Sequence, residues 1–304
     1  MQIGIIFKMN VRIFLITTFL ISFFAVSVHA GSAAYIFGKD SSIIGSVKTY
    51  KVREGESLIE IARKFGLGYK EIIEANPDLD PFVPGTNATV VIPASWILPD
   101  IASCDGIVIN LSEMRLYYFF RQKRTERVMT FPIGIGSEGN DTPIGTFRVI
   151  AKIVKPSWHV PESIRKERPE LPEVVPPGPD NPLGSHALRL SLPDILIHGT
   201  NKPWGVGRRV SHGCIRLYPE DIPELFRLTP VGAKVTIVRQ PVKVGIKNNK
   251  VYIEVHDDDF NKNLTYYSEA VILLKKKNLL KRVNTEKLYR ELGKKQGFPV
   301  EISI

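Results

Sequence analysis

From residue 107 the sequence repeats a strand pattern. Residues 107–111, 115–120, 127–133 and 146–153 each alternate with a two-residue period and are separated by short polar turns. No long amphipathic helix interrupts this series before residues 219–228. A chain patterned this way predicts an antiparallel, mainly β domain. At 304 residues there is room for about two domains. The strand signal then stops between residues 155 and 182, where eight prolines follow Lys155. That density excludes a helix and an inner strand, so this stretch is expected to be a loop forming a lid or wall beside a site.

The net charge is +10, and residues 239–304 alone hold fourteen basic and eight acidic residues, or +6. A nucleic-acid binder concentrates its basic stripe on the recognition module, so no nucleic-acid partner is expected. Lys8 and Arg12 precede an apolar run over residues 13–28 that ends in Val28-His29-Ala30. This is the arrangement of a secretory signal peptide over residues 1–30, with an uncleaved membrane anchor as the minor alternative. Cys104 and Cys214 are the two cysteines, too few for a disulfide scaffold.

Residues 47–93 form a smaller unit of their own. Thr49-Tyr50-Lys51-Val52 reads as a strand, and Leu58, Ile61, Ala62 and Phe65 recur at helical spacing behind a Ser57 N-cap. A second helix over residues 69–75 ends at Asn76-Pro77, and Val90-Val91-Ile92-Pro93 closes with a strand. This βααβ order, with Gly55-Glu56-Ser57-Leu58 and Asn76-Pro77 at its turns, resembles a LysM domain. The resemblance implies a small α+β module that grips peptidoglycan glycan strands through Gly55, Glu56, Ser57, Asn76 and Pro77. It is expected to act as a tether whose removal leaves turnover of small soluble muropeptides near normal.

In the larger domain, Asp194-Ile195-Leu196-Ile197-His198 reads as a strand with Leu196 and His198 on one face. Cys214-Ile215-Arg216-Leu217 reads as another, with Cys214 and Arg216 on one face. If the two are neighbours, His198, Cys214 and Arg216 share a face. A thiolate beside an imidazole is a nucleophile with its base. Gly213 leaves the N–H groups of Gly213 and Cys214 open to a tetrahedral intermediate. Arg216 suits a substrate carboxylate. Zinc would require Cys104, His198, His212 and Cys214 to converge, and their spacing matches no zinc pattern, so no metal or other cofactor is expected.

Ile197-His198-Gly199-Thr200 and Ser211-His212-Gly213-Cys214-Ile215-Arg216-Leu217 closely resemble the signature of L,D-transpeptidases of the YkuD type. Asp141-Thr142-Pro143-Ile144-Gly145 and Asn181-Pro182-Leu183-Gly184 resemble two further motifs of that family, so the match covers residues 105–238. The resemblance implies a YkuD-like β-rich fold acting on peptidoglycan in the periplasm of a Gram-negative envelope. Cys214 would take an acyl group from a tetrapeptide stem with loss of D-Ala. The acceptor would be a diamino acid of another stem or the C-terminal Lys of an outer-membrane lipoprotein. It also implies His198 as general base, oriented by the Gly199 carbonyl. Ser211, Arg209, Arg216 and His212 are counted on the substrate side, and for His212 a buried imidazole bracing the Cys loop is the preferred structural reading. Where many relatives have Asn, this chain has Arg216. An inert glycan-binding scaffold and a Cys-His peptidase are the alternatives. Residues 239–304 form an extension with strands at 251–255 and 270–274 and a helix over residues 285–292, without assigned chemistry.

Overall fold

Nine strands pair into the main sheet of the computed structural model, which describes residues 33–38, 41–258, 260–261 and 265–304. The signal peptide expected over residues 1–30 lies outside the described residues, and among those described no helix is long and apolar enough to cross a membrane. Across the sheet the order is Tyr35–Ile36, Thr125–Pro132, Arg115–Gln122, Gly106–Asn110, Lys234–Val238, Gly145–Val154, His186–Leu190, Leu196–His198 and Ile215–Arg216. Two junctions depart from the expected antiparallel pairing. Gly106–Asn110 runs parallel to Lys234–Val238, and Leu196–His198 runs parallel to Ile215–Arg216. Parallel neighbours need a long return path, supplied in the second case by the glycine-containing loop from 199 to 214.

The central strands are buried on both faces. Ile107, Ile109, Leu116 and Phe131 point into one core with Ile197, Ile215, Leu217 and the helix Ile222–Leu228. The alternate residues Val108, Tyr117, Phe119 and Val128 point into a second core with Leu58, Ile61, Ala62, Ile72, Val90 and Ile92. The second core belongs jointly to the βααβ unit and the sheet. That unit forms as its sequence indicates: Lys48–Lys51 pairs with Thr89–Ile92 around the helices Leu58–Lys64 and Tyr69–Glu74. Ser57 caps the first helix, its Oγ accepting from the Glu60 N–H at 3.3 Å.

A shared core overturns the expectation that turnover stays near normal without residues 47–93, because deleting them would strip one face of the sheet. The joint also holds a buried ion pair. Arg115, fully buried, places Nε 2.7 Å from Glu71 Oε1 and lies over the Trp96 ring.

The extension adds a sheet of Val242–Lys247, Lys250–Val255 and Val300–Glu301. Residues 270–274, expected as a strand, lie instead in the helix Tyr266–Lys276. Ala270 and Leu274, four apart, share its buried face, and an apolar run this short carries no clear period. The last helix runs Thr285–Lys294, past Gly293. Lys243, reaching from the extension, is buried 2.7 Å from Glu113 and 2.8 Å from Glu254. His256 joins Glu254 to Glu74 of the βααβ unit. Burial opposes the charge on His256, but Glu74 and Glu254 carry its pKa up to about 10, so it stays an imidazolium. Glu113, Glu254 and His256 are close enough together to hold a cation, and the Lys243 ammonium already occupies that place.

The proline-dense stretch between residues 155 and 182 is a structured flap. Trp158–His159 pairs with Val174–Val175, and a six-residue helix, Glu162–Glu167, fits between Pro161 and Pro169. The absence of a helix there was wrongly expected, since a proline just before the first turn interrupts no helical hydrogen bond.

Candidate active site

The register of two short strands sets the site. Ile197 is level with Ile215 and His198 with Arg216, so Cys214, one residue before its strand, is level with Leu196. Ile197 and Ile215 are fully buried on the core side. Strand alternation then puts His198, Arg216 and Cys214 together on the other face.

His198 is buried, and its Nδ1 lies 2.6 Å from the Gly199 carbonyl. A carbonyl only accepts, so Nδ1 carries the proton and Nε2 is left as the basic nitrogen. Burial and the Arg216 charge push the imidazole pKa down to about 3, against the Gly199 and Leu183 carbonyls, which favour the charged form. The ring is therefore neutral at working pH.

Cys214 is a free, partly exposed thiol. It receives the Leu196 N–H at 3.4 Å and donates to the Asp194 carbonyl at 3.3 Å. Burial pushes the thiol up, against the Leu196 N–H and Arg216. The thiol and the imidazole on this face are thus both neutral at rest, not an ion pair. Cys104, exposed and free, forms no bridge to it.

The loop that presents the sulfur is fixed at three points. Gly213 has φ +95°, a backbone angle that requires glycine, while a Cβ there would only displace the tip of Ile195, 2.9 Å away at Cδ1. Ser211 Oγ donates to the Cys214 carbonyl at 2.6 Å. Thr142 Oγ1 donates to the Gly213 carbonyl at 2.9 Å while accepting from the Gly136 N–H at 3.0 Å. Because the peptide is planar and trans, holding the Gly213 carbonyl aims the Cys214 N–H the opposite way. Among the described residues neither the Gly213 nor the Cys214 N–H has a hydrogen-bond partner. Two open donors beside the sulfur suit a developing oxyanion.

Several substrate-side expectations change. Ser211 is 1% exposed and braces the Cys loop, so it is not a direct contact. Arg209 pairs with Asp141, donates to the Gly136 carbonyl at 3.2 Å and lies over Phe260, which makes it a strut for the loop over residues 136–142. His212 is exposed, with Nε2 3.7 Å from Glu167 of the flap helix, so it is not a buried brace. It stands just before the turn at Gly213, whose φ is +95°. Arg216 keeps its expected face; its Nε is buried without a partner.

Thr142 and Asn181 carried no assigned role in the sequence. Asn181, fully buried, donates Nδ2 to the carbonyls of Pro156, Val175 and Pro176 and accepts from the Leu183 N–H. It ties both ends of the flap to the residue whose carbonyl faces His198. A polar residue inside a proline-rich stretch was the available signal.

On the βααβ unit, Gly55 and Pro77 are exposed at the loop tips. Ser57 is occupied as a cap, and Glu56 accepts from the Tyr50 hydroxyl and the Arg53 N–H. Asn76 is not available to a ligand. It is 7% exposed, donates to the Ile72 and Val91 carbonyls and accepts from the Val91 N–H. Sequence reasoning missed Phe82 and Val83, 63% and 77% exposed. Asp80 Oδ1 accepts both their N–H groups in a turn, and the Leu58 N–H to Pro81 carbonyl bond sets that turn beside the Gly55 loop.

A free thiol, a neutral buried imidazole on the adjoining strand, open N–H donors and an unpaired guanidinium form the equipment of a cysteine-dependent enzyme. The family model of the L,D-transpeptidase catalytic domain (YkuD) matches residues 105–237, and that of the LysM domain matches residues 50–81. The Escherichia coli protein named "Probable L,D-transpeptidase YcfS" is 42% identical over 226 residues, 71% of this chain and 70% of its own. "Probable L,D-transpeptidase YbiS" of the same species is 41% identical over 237 residues, 75% of this chain and 76% of its own. "Probable L,D-transpeptidase ErfK/SrfK" of Salmonella typhimurium is 35% identical over 277 residues, 86% and 88% of the two chains. The chain belongs to the YkuD-type L,D-transpeptidases and carries a LysM domain.

Proposed function

We propose that the protein is exported to the periplasm and joins peptidoglycan stems by acyl transfer through Cys214. A tetrapeptide stem presents the amide between its third residue, a diamino acid, and its terminal D-Ala. His198 Nε2 takes the thiol proton as sulfur adds to the carbonyl carbon, and the oxyanion takes the N–H groups of Gly213 and Cys214. The C–N bond breaks, and D-Ala leaves with the proton from His198, which yields a thioester. An acceptor amine adds to the thioester and gives a proton to His198; the C–S bond breaks, and sulfur recovers its proton. Arg216 binds the carboxylate of the donor, and the LysM loops at Gly55, Pro77 and Phe82 hold the glycan. The acceptor is an amine of a second stem or the C-terminal Lys of a wall-bound lipoprotein.

The observation that supports this reading most directly is the register of Leu196–His198 on Ile215–Arg216, which sets base, sulfur and guanidinium on one face. Cys214→Ala is expected to abolish D-Ala release from a tetrapeptide muropeptide, and undiminished release refutes the mechanism. Mass analysis of wild-type products separates transfer from hydrolysis: coupled muropeptides mean that an amine resolves the thioester, and free tripeptide alone means that water does.

A further inference from the structure

A cleft of about 470 Å³ opens where the LysM domain, the catalytic domain and the extension meet, away from the sulfur. Its walls include Tyr69 and Ile73 of the second LysM helix, Met114, and residues 207–210 of the catalytic domain. Arg208 lies flat in it, with its guanidinium carbon 3.4 Å from the centroid of the Tyr69 ring. No side chain or carbonyl among the described residues pairs with that guanidinium, and its Nε is buried without a partner.

The other charges lining the cleft are already matched. Arg209 pairs with Asp141, Lys70 Nζ donates to the Asp257 carbonyl at 2.7 Å, Glu74 holds His256, and the Asp257 carboxylate holds Lys295. Among the described residues lining the cleft, Arg208 is therefore the uncompensated charge, stacked on the Tyr69 ring.

The stack is built by the domain joint itself. Gly207 has φ +79°, and a Cβ on it would stand 2.1 Å from the Tyr69 nitrogen. That approach allows the Tyr69 and Lys70 N–H groups to bond the Val206 and Gly207 carbonyls, each at 3.2 Å. Arg209–Ser211 then leads as a strand from the cleft to the Cys loop. Three residues of strand span about 10 Å, which is also the reach of about three residues of extended peptide.

We propose that this cleft is the acceptor subsite, and that Arg208, stacked on Tyr69, binds the free carboxylate of the amine-bearing peptide that resolves the thioester. The proposal rests on the transfer reaction above. The LysM domain then forms part of the transfer site through Tyr69. Arg208 is a positioning residue for the acceptor and has no part in acylation.

The test uses the full-length enzyme and two acceptors, a muropeptide stem and a short peptide ending in Lys, each as the free acid and as the C-terminal carboxamide. In the wild type the carboxamide of the true acceptor is expected to show a KM raised about 10- to 100-fold, the worth of one charge-assisted contact. Arg208→Gln is expected to raise the KM of the acid by a similar factor, to erase the acid–carboxamide difference, and to leave unchanged the single-turnover burst of D-Ala measured without acceptor. Arg208→Lys should restore part of the difference. The acceptor that shows the discrimination identifies the source of the carboxylate. Equal KM values for acid and carboxamide in the wild type, with either acceptor, overturn the proposal even if the variant fails to fold. Discrimination that survives Arg208→Gln overturns it as well. Failure of Cys214 acylation in the wild type would instead overturn the transfer reaction beneath it.

Discussion

Replacing Thr142 with valine keeps the shape of the side chain and removes one oxygen. That oxygen bridges the Gly136 N–H and the Gly213 carbonyl, at 3.0 and 2.9 Å, and Thr142 is 3% exposed. Thr142→Val leaves both backbone groups without partners, and each buried orphan costs about 1–3 kcal/mol. The expected loss of stability is about 2–4 kcal/mol, in the lower half of the summed range because a small backbone shift can admit a bridging water. The catalytic effect follows from the peptide plane. With the Gly213 carbonyl released, the Cys214 N–H loses its aim, and a lost oxyanion donor costs about 10²–10³ in kcat. The Ser211 bond to the Cys214 carbonyl persists, so the aim is only partly lost and a fall of about 10- to 100-fold is expected. Thr142→Ser, which keeps the hydroxyl, should stay close to wild type. The assay is D-Ala release under saturating donor, alongside urea unfolding of each variant. A Thr142→Val enzyme with reduced stability and full kcat would refute the reasoning, because it would show that the oxygen braces the fold and not the donor.

Two further outcomes follow from the charges. Since burial raises the Cys214 pKa, alkylation of the resting enzyme by iodoacetamide should climb roughly tenfold per pH unit from pH 7 to 9; a fast, pH-independent rate extending down to pH 5 would instead reveal a thiolate–imidazolium pair. Glu71→Ala strands the buried Arg115 guanidinium and should cost about 3–5 kcal/mol in urea unfolding of the full chain, whereas a loss under 1 kcal/mol would mean that the LysM joint contributes little.

The site was legible in the sequence to the extent that strand alternation alone could determine it. Period-two spacing placed His198, Cys214 and Arg216 on one face, and the parallel pairing of their strands delivers that arrangement. The direction of that pairing was not legible, because parallel contacts join segments far apart in sequence and alternation is the same for either direction. His212 and Ser211 show the limit most plainly. Adjacent in a tight loop, one is exposed and the other is buried on its bond to the Cys214 carbonyl, which residue types alone do not decide. Asn76 reads in sequence as a loop-tip polar residue, yet its amide is used to bridge Ile72 to Val91. Residues 270–274 were ambiguous for a different reason, since five apolar-rich residues fit either period. Least visible was the joint between domains. Arg115 at the head of an apolar strand was the one hint that something charged would meet it, and its partner lies 44 residues upstream.

The buried cluster of Lys243, Glu113, Glu254 and His256 has a mechanical consequence. It joins the extension to the sheet and, through Glu74, to the LysM domain, so three segments of chain are tied at one buried point. A joint of this kind works as a caliper. If the loops at Gly55, Pro77 and Phe82 hold a glycan strand as proposed, the sulfur stands at a constant offset from that grip, and the spacing of the proposed products along the strand follows from the protein.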